Sequence, residues 1–340
     1  MTRRRHGTRI ERRTRSSLGI AAAVLAAVAT LWLAADSVST QPRPAEPARE
    51  VPESEPWDAP RTADGQPDIQ GMWIADEWGR PLEPPAPPPA PRAPARRADS
   101  PPTRGGGGPP TEEGWSDVKM TSDRTPIIVD PPDGMIPWLP WATGARDYVV
   151  AHQGNSGVVD PLFLDPVSKC LPYGVPRINS PNPYSGYQIL QRPGMVVIAY
   201  EQGHQYRIIR LDGRPHVGSN IRLWNGNSRG RWEDNTLVVD VRNLNGKTWV
   251  FGRSPSQVSG PFTSPGLQVV ERFIFTDIDT IHYEVTMTDP NLYSQSWTIS
   301  TRAFVRAPEG YRMFEYACHE GNRTTDLITS GNEGGDATRD

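Results

Sequence analysis

Residues capable of chemistry crowd into one stretch, Tyr200 to His216, YEQGHQYRIIRLDGRPH, where Glu201, His204 and Arg207 stand three apart. A carboxylate, an imidazole and a guanidinium are the groups from which proton transfer and ligand orientation are built. A second acid, Glu271, sits inside VVERFIF and shares a strand face with Val269, Phe273 and Phe275. A carboxylate in such an apolar row is costly unless it is paired or protonated. Glu201 follows MVVIAY, where Met195, Val197 and Ala199 form one face and Val196, Ile198 and Tyr200 the other. Both faces are apolar, which predicts a central strand with Glu201 partly buried at its end.

Two readings of these groups follow. In one, Glu201 and Glu271 join Arg207 in a structural ion-pair network inside the fold. In the other, Glu201, His204 and Glu271 form an acid/base set and Arg207 orients the bound molecule. Arg272 is a poorer partner, because it points away from the face that carries Glu271. Full pairing of the acids by arginine favours structure; an unpaired acid facing a cavity favours chemistry.

His216 lies one strand away from His204, and a seven-residue strand is about 23 Å long, so the two imidazoles cannot share one metal. His282 alternates with Ile281 and Tyr283 and is expected to face water. His319 and Glu320 lack the second histidine of a HExxH site. GNSRG, Gly226 to Gly230, has the Gly-x-Ser-x-Gly spelling of a nucleophile elbow but does not run from a strand into a helix. There is no Walker loop, dinucleotide fingerprint or CxxC pair, so neither a metal nor a cofactor is implied.

The elements that must hold these residues begin at Tyr187. YQILQR, MVVIAYE, YRIIRL, TLVVDV, LQVVERFIF, TIHYEVTMT and SWTISTRAF read as strands. PG, QGH, DGRP, EDN, TDID and DPN separate them, each with tight-reversal chemistry. The pattern predicts an all-β, antiparallel meander, and closure into a calycin-like barrel removes the exposed edges. GMW, Gly71 to Trp73, resembles the Gly-x-Trp that opens lipocalin barrels, and GRW, Gly230 to Trp232, repeats it. Short strands are also expected at Gly71 to Asp76 and Ile127 to Val129, and one helix near Trp141 to His152. Of the eleven tryptophans, Trp73, Trp224, Trp232, Trp249 and Trp297 fall in or beside strands. They fill the core or close barrel ends; Trp224, Trp232 and Trp249, with Arg207, are the candidates for contact with a small, partly apolar ligand.

Ahead of the barrel the chain is organised for export. The first 17 residues carry seven arginines against Glu11 and are expected to stay cytoplasmic. Leu18 to Ala35 is uncharged and reads as a signal anchor or a signal peptide. Residues 36–66 form a Pro-rich linker, 67–322 the barrel domain, 81–113 a disordered insertion with many of the 37 prolines, and 323–340 a polar tail. The body beyond the basic start is acidic, against an overall net charge of -3, which argues against nucleic acid as a partner. The membrane is met only through the N-terminal segment, and the body is extracytoplasmic. There the two cysteines, Cys170 and Cys318, are expected to form a disulfide. A thiol nucleophile aided by His319 is disfavoured, since adjacent strand residues face opposite ways.

From Pro67 to Asn322 the chain resembles a large group of exported bacterial proteins of unknown function. The resemblance rests on PDIQGMW, RTPIIVDPPDG, CLPYGVPR, YEQGH, DGRPH, GRWEDNTLVVD, ERFIF, MTDPNLY, SWTIS and EYACHEGN, in that order. It implies no particular activity. The chain departs from the group's pattern at three polar positions: Gly246 and Phe251 replace acids, and Thr263, followed by Ser264, stands where the group often has the His of His-Ser.

Overall fold

A computed structural model describes residues 57–76, 80–84, 123, 125–151, 165–179, 186–251, 253–254, 257–258, 262–320 and 322. The expected export segment, most of the Pro-rich insertion and the polar tail lie outside the described residues. Among the described residues the regular secondary structure is strand, apart from one α-helix and short 3-10 turns.

In chain order the strands are β1 (Gly71–Ala75), β2 (Ile128–Asp130), β3 (Gly186–Arg192), β4 (Met195–Tyr200), β5 (Gln205–Arg210), β6 (Asn227–Glu233) and β7 (Thr236–Arg242). The two-residue strands β8 (Arg253–Ser254) and β9 (Gln257–Val258) pair only with each other. Then come β10 (Gln268–Asp277), β11 (Thr280–Thr288) and β12 (Trp297–Arg306). The helix α1 spans Pro140–Ala151, close to the expected place, with proline at its first position, where the missing N–H costs nothing.

Strands β3 to β7 and β10 to β12 follow one another around a sheet that β1 closes, pairing with β3 on one side and β12 on the other. The result is the closed barrel expected from the strand grammar. Closure depends on the length of β12: its start pairs with β2 through Thr298 and Ile299, and its end with β1 through Phe304 to Arg306. Arg306 locks this seam, stacking 3.8 Å from the centroid of the Trp73 ring and donating to the carbonyls of Gln70 and Ile278.

Period-two burial decides which side chains fill the lumen. Val196, Ile198 and Tyr200 point in from β4, Val269, Phe273 and Phe275 from β10, and Ile281, Tyr283, Val285 and Met287 from β11. Trp73 and Trp297 are fully buried with them. Rings meet edge-on across the interior, as Tyr187 does with Phe304 at 4.6 Å between centroids. The lumen is a packed core.

The structure departs from the sequence expectation in three places. DGRP does not close a hairpin: β5 pairs with β6 in parallel, at Arg210 and Arg229, after the excursion of residues 211–226. Asn243 nails that excursion in place, its Nδ2 donating to the carbonyls of Val217, Gly218 and Ile221. Strand β6 itself, NSRGRWE, is not apparent as an alternating pattern because its inward positions include Ser228 and Gly230. A Cβ on Gly230 would collide with Ile209 and Leu211. The barrel domain also starts before Pro67. Trp57 packs edge-on against Phe275 at 4.7 Å, and Ala59 is buried, so the end of the expected linker belongs to the core. Likewise Leu82, inside the expected insertion, is buried and accepts from the Ile128 N–H.

Candidate functional site

The acid in the apolar row is satisfied from within. Glu271 is 0% exposed, and Arg207 on β5 reaches it across the lumen as a bidentate pair, Nη1 to Oε1 at 3.0 Å and Nη2 to Oε2 at 2.5 Å. Glu271 Oε1 also accepts from Asn179 Nδ2 and the Tyr283 hydroxyl, both at 2.7 Å. Tyr200 donates to Asn179 Oδ1 at 3.0 Å, and Ser228 Oγ accepts from Arg207 Nη2 at 2.9 Å. Burial pushes the Tyr200 hydroxyl up to about 12 and Tyr283 well above the ordinary tyrosine value, so both remain neutral donors. Burial disfavours the Arg207 charge, but Glu271 and the surrounding hydroxyls more than offset this and hold its proton above the usual arginine range. Both carboxylate oxygens are engaged, and nothing in this arrangement leaves the acid facing open space.

Glu201 belongs to a different network. Its backbone is helical rather than extended, φ -60 and ψ -51, because the chain turns there into the 3-10 segment Gln202–His204. It therefore leaves the alternation of β4 and tucks in, 5% exposed, instead of ending the outer row of Met195, Val197 and Ala199. The Tyr311 hydroxyl donates to Oε2 at 2.7 Å. Burial raises the Glu201 pKa, partly opposed by the Tyr311 hydroxyl, the Phe314 backbone N–H and His204. Glu201 and His204 are thus electrostatic neighbours, while Glu271 is bound to Arg207, Asn179 and Tyr283.

His204 occupies the β4–β5 turn in a left-handed conformation, φ 48. Its Nε2 accepts the Tyr316 backbone N–H at 3.1 Å, so the neutral ring carries its proton on Nδ1. His216 is elsewhere, with Nδ1 3.0 Å from Asn227 Oδ1 and Nε2 3.5 Å from Asp240. Ser228 of GNSRG is a buried strand residue bonded to Arg207, not an exposed nucleophile on an elbow. Arg272 turns outward and pairs with Glu233 at 3.1 Å.

An opening in the barrel domain lies beside this turn. The C-terminal segment after β12 runs back over it, tied by Tyr311 to Glu201, by Tyr316 to His204, and by the Cys170–Cys318 disulfide, with a Cα–Cα distance of 5.6 Å. Asn322 adds a bond to the Ser168 carbonyl at 3.1 Å. Between that segment, the turn and the stretch preceding Tyr173 is a cavity of about 430 Å³. Its polar wall includes His204, Gln205, His319 and Glu320; its apolar wall includes Leu171 and Tyr173. Trp224, Trp232 and Trp249 are not among the lining residues; Trp232 donates instead to Gln66 at 2.9 Å, and Trp249 is buried.

The sequence singled out His204 and both cysteines at this place, but not Tyr173, Gln205, Tyr311 or Tyr316. The available signal was the disulfide itself, which required CLPYGVPR and EYACHEGN to meet. The segment holding Gly246, Phe251, Thr263 and Ser264 is packed locally. Gly246 is backed by Pro265, Phe251 lies near Trp297, Thr263 donates to the Thr248 carbonyl at 2.9 Å, and Ser264 donates to Asp289 at 2.9 Å.

Compared with known families and curated proteins, the chain matches no family model and no curated sequence. What the fold defines on its own is the class: a closed, mostly antiparallel β-barrel with a disulfide-tied C-terminal segment.

Proposed function

We propose that this is an extracytoplasmic β-barrel protein that binds a small, partly apolar molecule, not in the lumen but in the cavity beside the β4–β5 turn. The single observation that carries the reading is the cavity's size and mixed wall. About 430 Å³ falls in the range of small-molecule sites, and a mostly apolar lining with a few placed polar groups is their usual chemistry. The disulfide supports an oxidising compartment and makes the C-terminal wall of the cavity a fixed one. The resemblance to exported bacterial proteins is in keeping with that location.

The rival reading, a cofactor-free hydrolase or lyase using Glu201, His204 and Glu271, has less support. Glu271 is committed to Arg207, and general acid/base work needs a group that can exchange a proton with a bound molecule. A purely structural envelope role would leave the cavity without purpose.

The test uses the oxidised full-length protein. It is incubated with a metabolite extract, washed and denatured, and the released compounds are identified by mass spectrometry, beside the variant Ala317→Trp. Ala317 lines the cavity and is exposed, so the indole fills space without entering the core. A compound enriched on the wild type and lost from Ala317→Trp is the expected result. Equal enrichment on both, or none on either, overturns the proposal.

A further inference from the structure

The hydrogen-bonding polarity of the cavity's inner wall is set by contacts made behind it. His204 and Gln205 are adjacent lining residues, and each has its acceptor side already occupied. His204 Nε2 takes the Tyr316 backbone N–H, which leaves the Nδ1–H as the proton the neutral ring can offer. Gln205 Oε1 takes Asn225 Nδ2 at 3.0 Å. Its Nε2 then lies against Gly203, where an added Cβ would come within 2.8 Å of it, and Gly203 is itself a lining residue. The turn thus carries a donor on each of two adjacent lining residues, the imidazole N–H of His204 and the side-chain amide of Gln205.

The glycine matters for this geometry. Gly203 has φ +73, a conformation that side chains seldom adopt, and a Cβ there would crowd the amide nitrogen of Gln205. Leu171, Pro172, Val167 and the Tyr173 ring supply the apolar part of the wall. Glu320 is the lining carboxylate, and it is exposed at the rim, on the C-terminal segment.

Resting on the ligand-binding reading above, we infer that the cavity takes a small organic acid, its carboxylate bound by the paired donors of His204 and Gln205 and its apolar body lying against Leu171, Pro172 and Tyr173. A carboxylate has two oxygens, each able to accept, and so matches two adjacent donors. An amine of the same shape would bring donors to donors and lose the match. A neutral amide, with one acceptor oxygen, ranks between them.

The experiment is calorimetric titration of the oxidised full-length protein with three probes of one shape: 4-phenylbutyrate, 4-phenylbutyramide and 4-phenylbutylamine. The expected order of affinity is acid, then amide, then amine, with at least a tenfold gap between acid and amine, equivalent to about 1.4 kcal/mol. In Gln205→Glu the Asn225 contact can persist while the donor becomes an acceptor, so the acid should weaken at least tenfold and the amine should not. Circular dichroism and Tm verify that the variant is folded; if it is not, Gln205→Met, which removes the donor without adding charge, serves in its place. Equal binding of the three probes, or preference for the amine, overturns the donor assignment while leaving a binding cavity. Failure of all three to bind at millimolar concentration overturns this inference together with the ligand-binding reading.

Discussion

Glu271→Gln is the sharpest test of how the barrel interior is held. The carboxylate accepts from Arg207 Nη1 and Nη2, Asn179 Nδ2 and the Tyr283 hydroxyl. Glutamine keeps the shape but removes the negative charge and turns one acceptor oxygen into a donor, which must face Arg207, Asn179 or Tyr283. A guanidinium only 3% exposed is then left without a counter-charge. Breaking one side of a buried pair costs about 3–5 kcal/mol. For a domain of this size each kcal/mol lowers Tm by about 2–4 °C, so a fall of roughly 6–20 °C is expected. Thermal and urea unfolding followed by tryptophan fluorescence measure it. The double variant Arg207→Met/Glu271→Leu removes both charges, and should lie closer to wild type than the two single changes added together. It should still fall short of wild type, because Asn179, Tyr283 and Ser228 lose partners worth about 1 kcal/mol each or more. If Glu271→Gln stays within about 1 kcal/mol of wild type, or the single changes are additive, the caged pair is not what holds these strands together. If it instead abolishes ligand binding at unchanged Tm, the residue is functional and the structural assignment is wrong.

Two further outcomes follow from the mouth of the barrel. Glu201 has its pKa raised above the ordinary value of 4.5, so the folded state holds the proton more tightly than the unfolded one. Its contribution to stability is therefore fully present below that value and is lost as pH rises through the raised one. Glu201→Gln, a neutral mimic of the protonated acid, should flatten that loss in a Tm-against-pH series; an unchanged slope would show that another group titrates. The Cys170–Cys318 bridge closes a loop of 148 residues, for which chain entropy gives a stabilisation of about 5 kcal/mol. Cys170→Ser/Cys318→Ser should lower the urea midpoint accordingly and weaken binding of any cavity ligand; unaltered ligand affinity would mean that the C-terminal segment is held well enough by Tyr311 and Tyr316 alone.

The strand grammar and the need for an internal counter-charge could be read directly from the residues. Alternation in MVVIAY, VVERFIF and TIHYEVTMT places one set of side chains inside, and an acid at the position of Glu271 demands a cation from within reach, which Arg207 supplies. The disulfide was legible too, since the chain has two cysteines and each has only the other to pair with. The parallel pairing of β5 with β6 was not, because Ser228 and Gly230 carry no apolar signal and the geometry of residues 211–226 is imposed by Asn243, a residue reached only through folding. Nor was the position of Glu201, whose burial follows from one helical φ/ψ pair that interrupts the strand period. The place of the opening depends on how distant segments meet in the folded chain. The lumen is packed with side chains, and the cavity arises where the segment after β12, held by Cys318, meets a turn more than a hundred residues earlier in sequence. Local pattern reports which face of a strand is buried; it carries no information about the gap left between two segments that meet only because the chain has closed on itself.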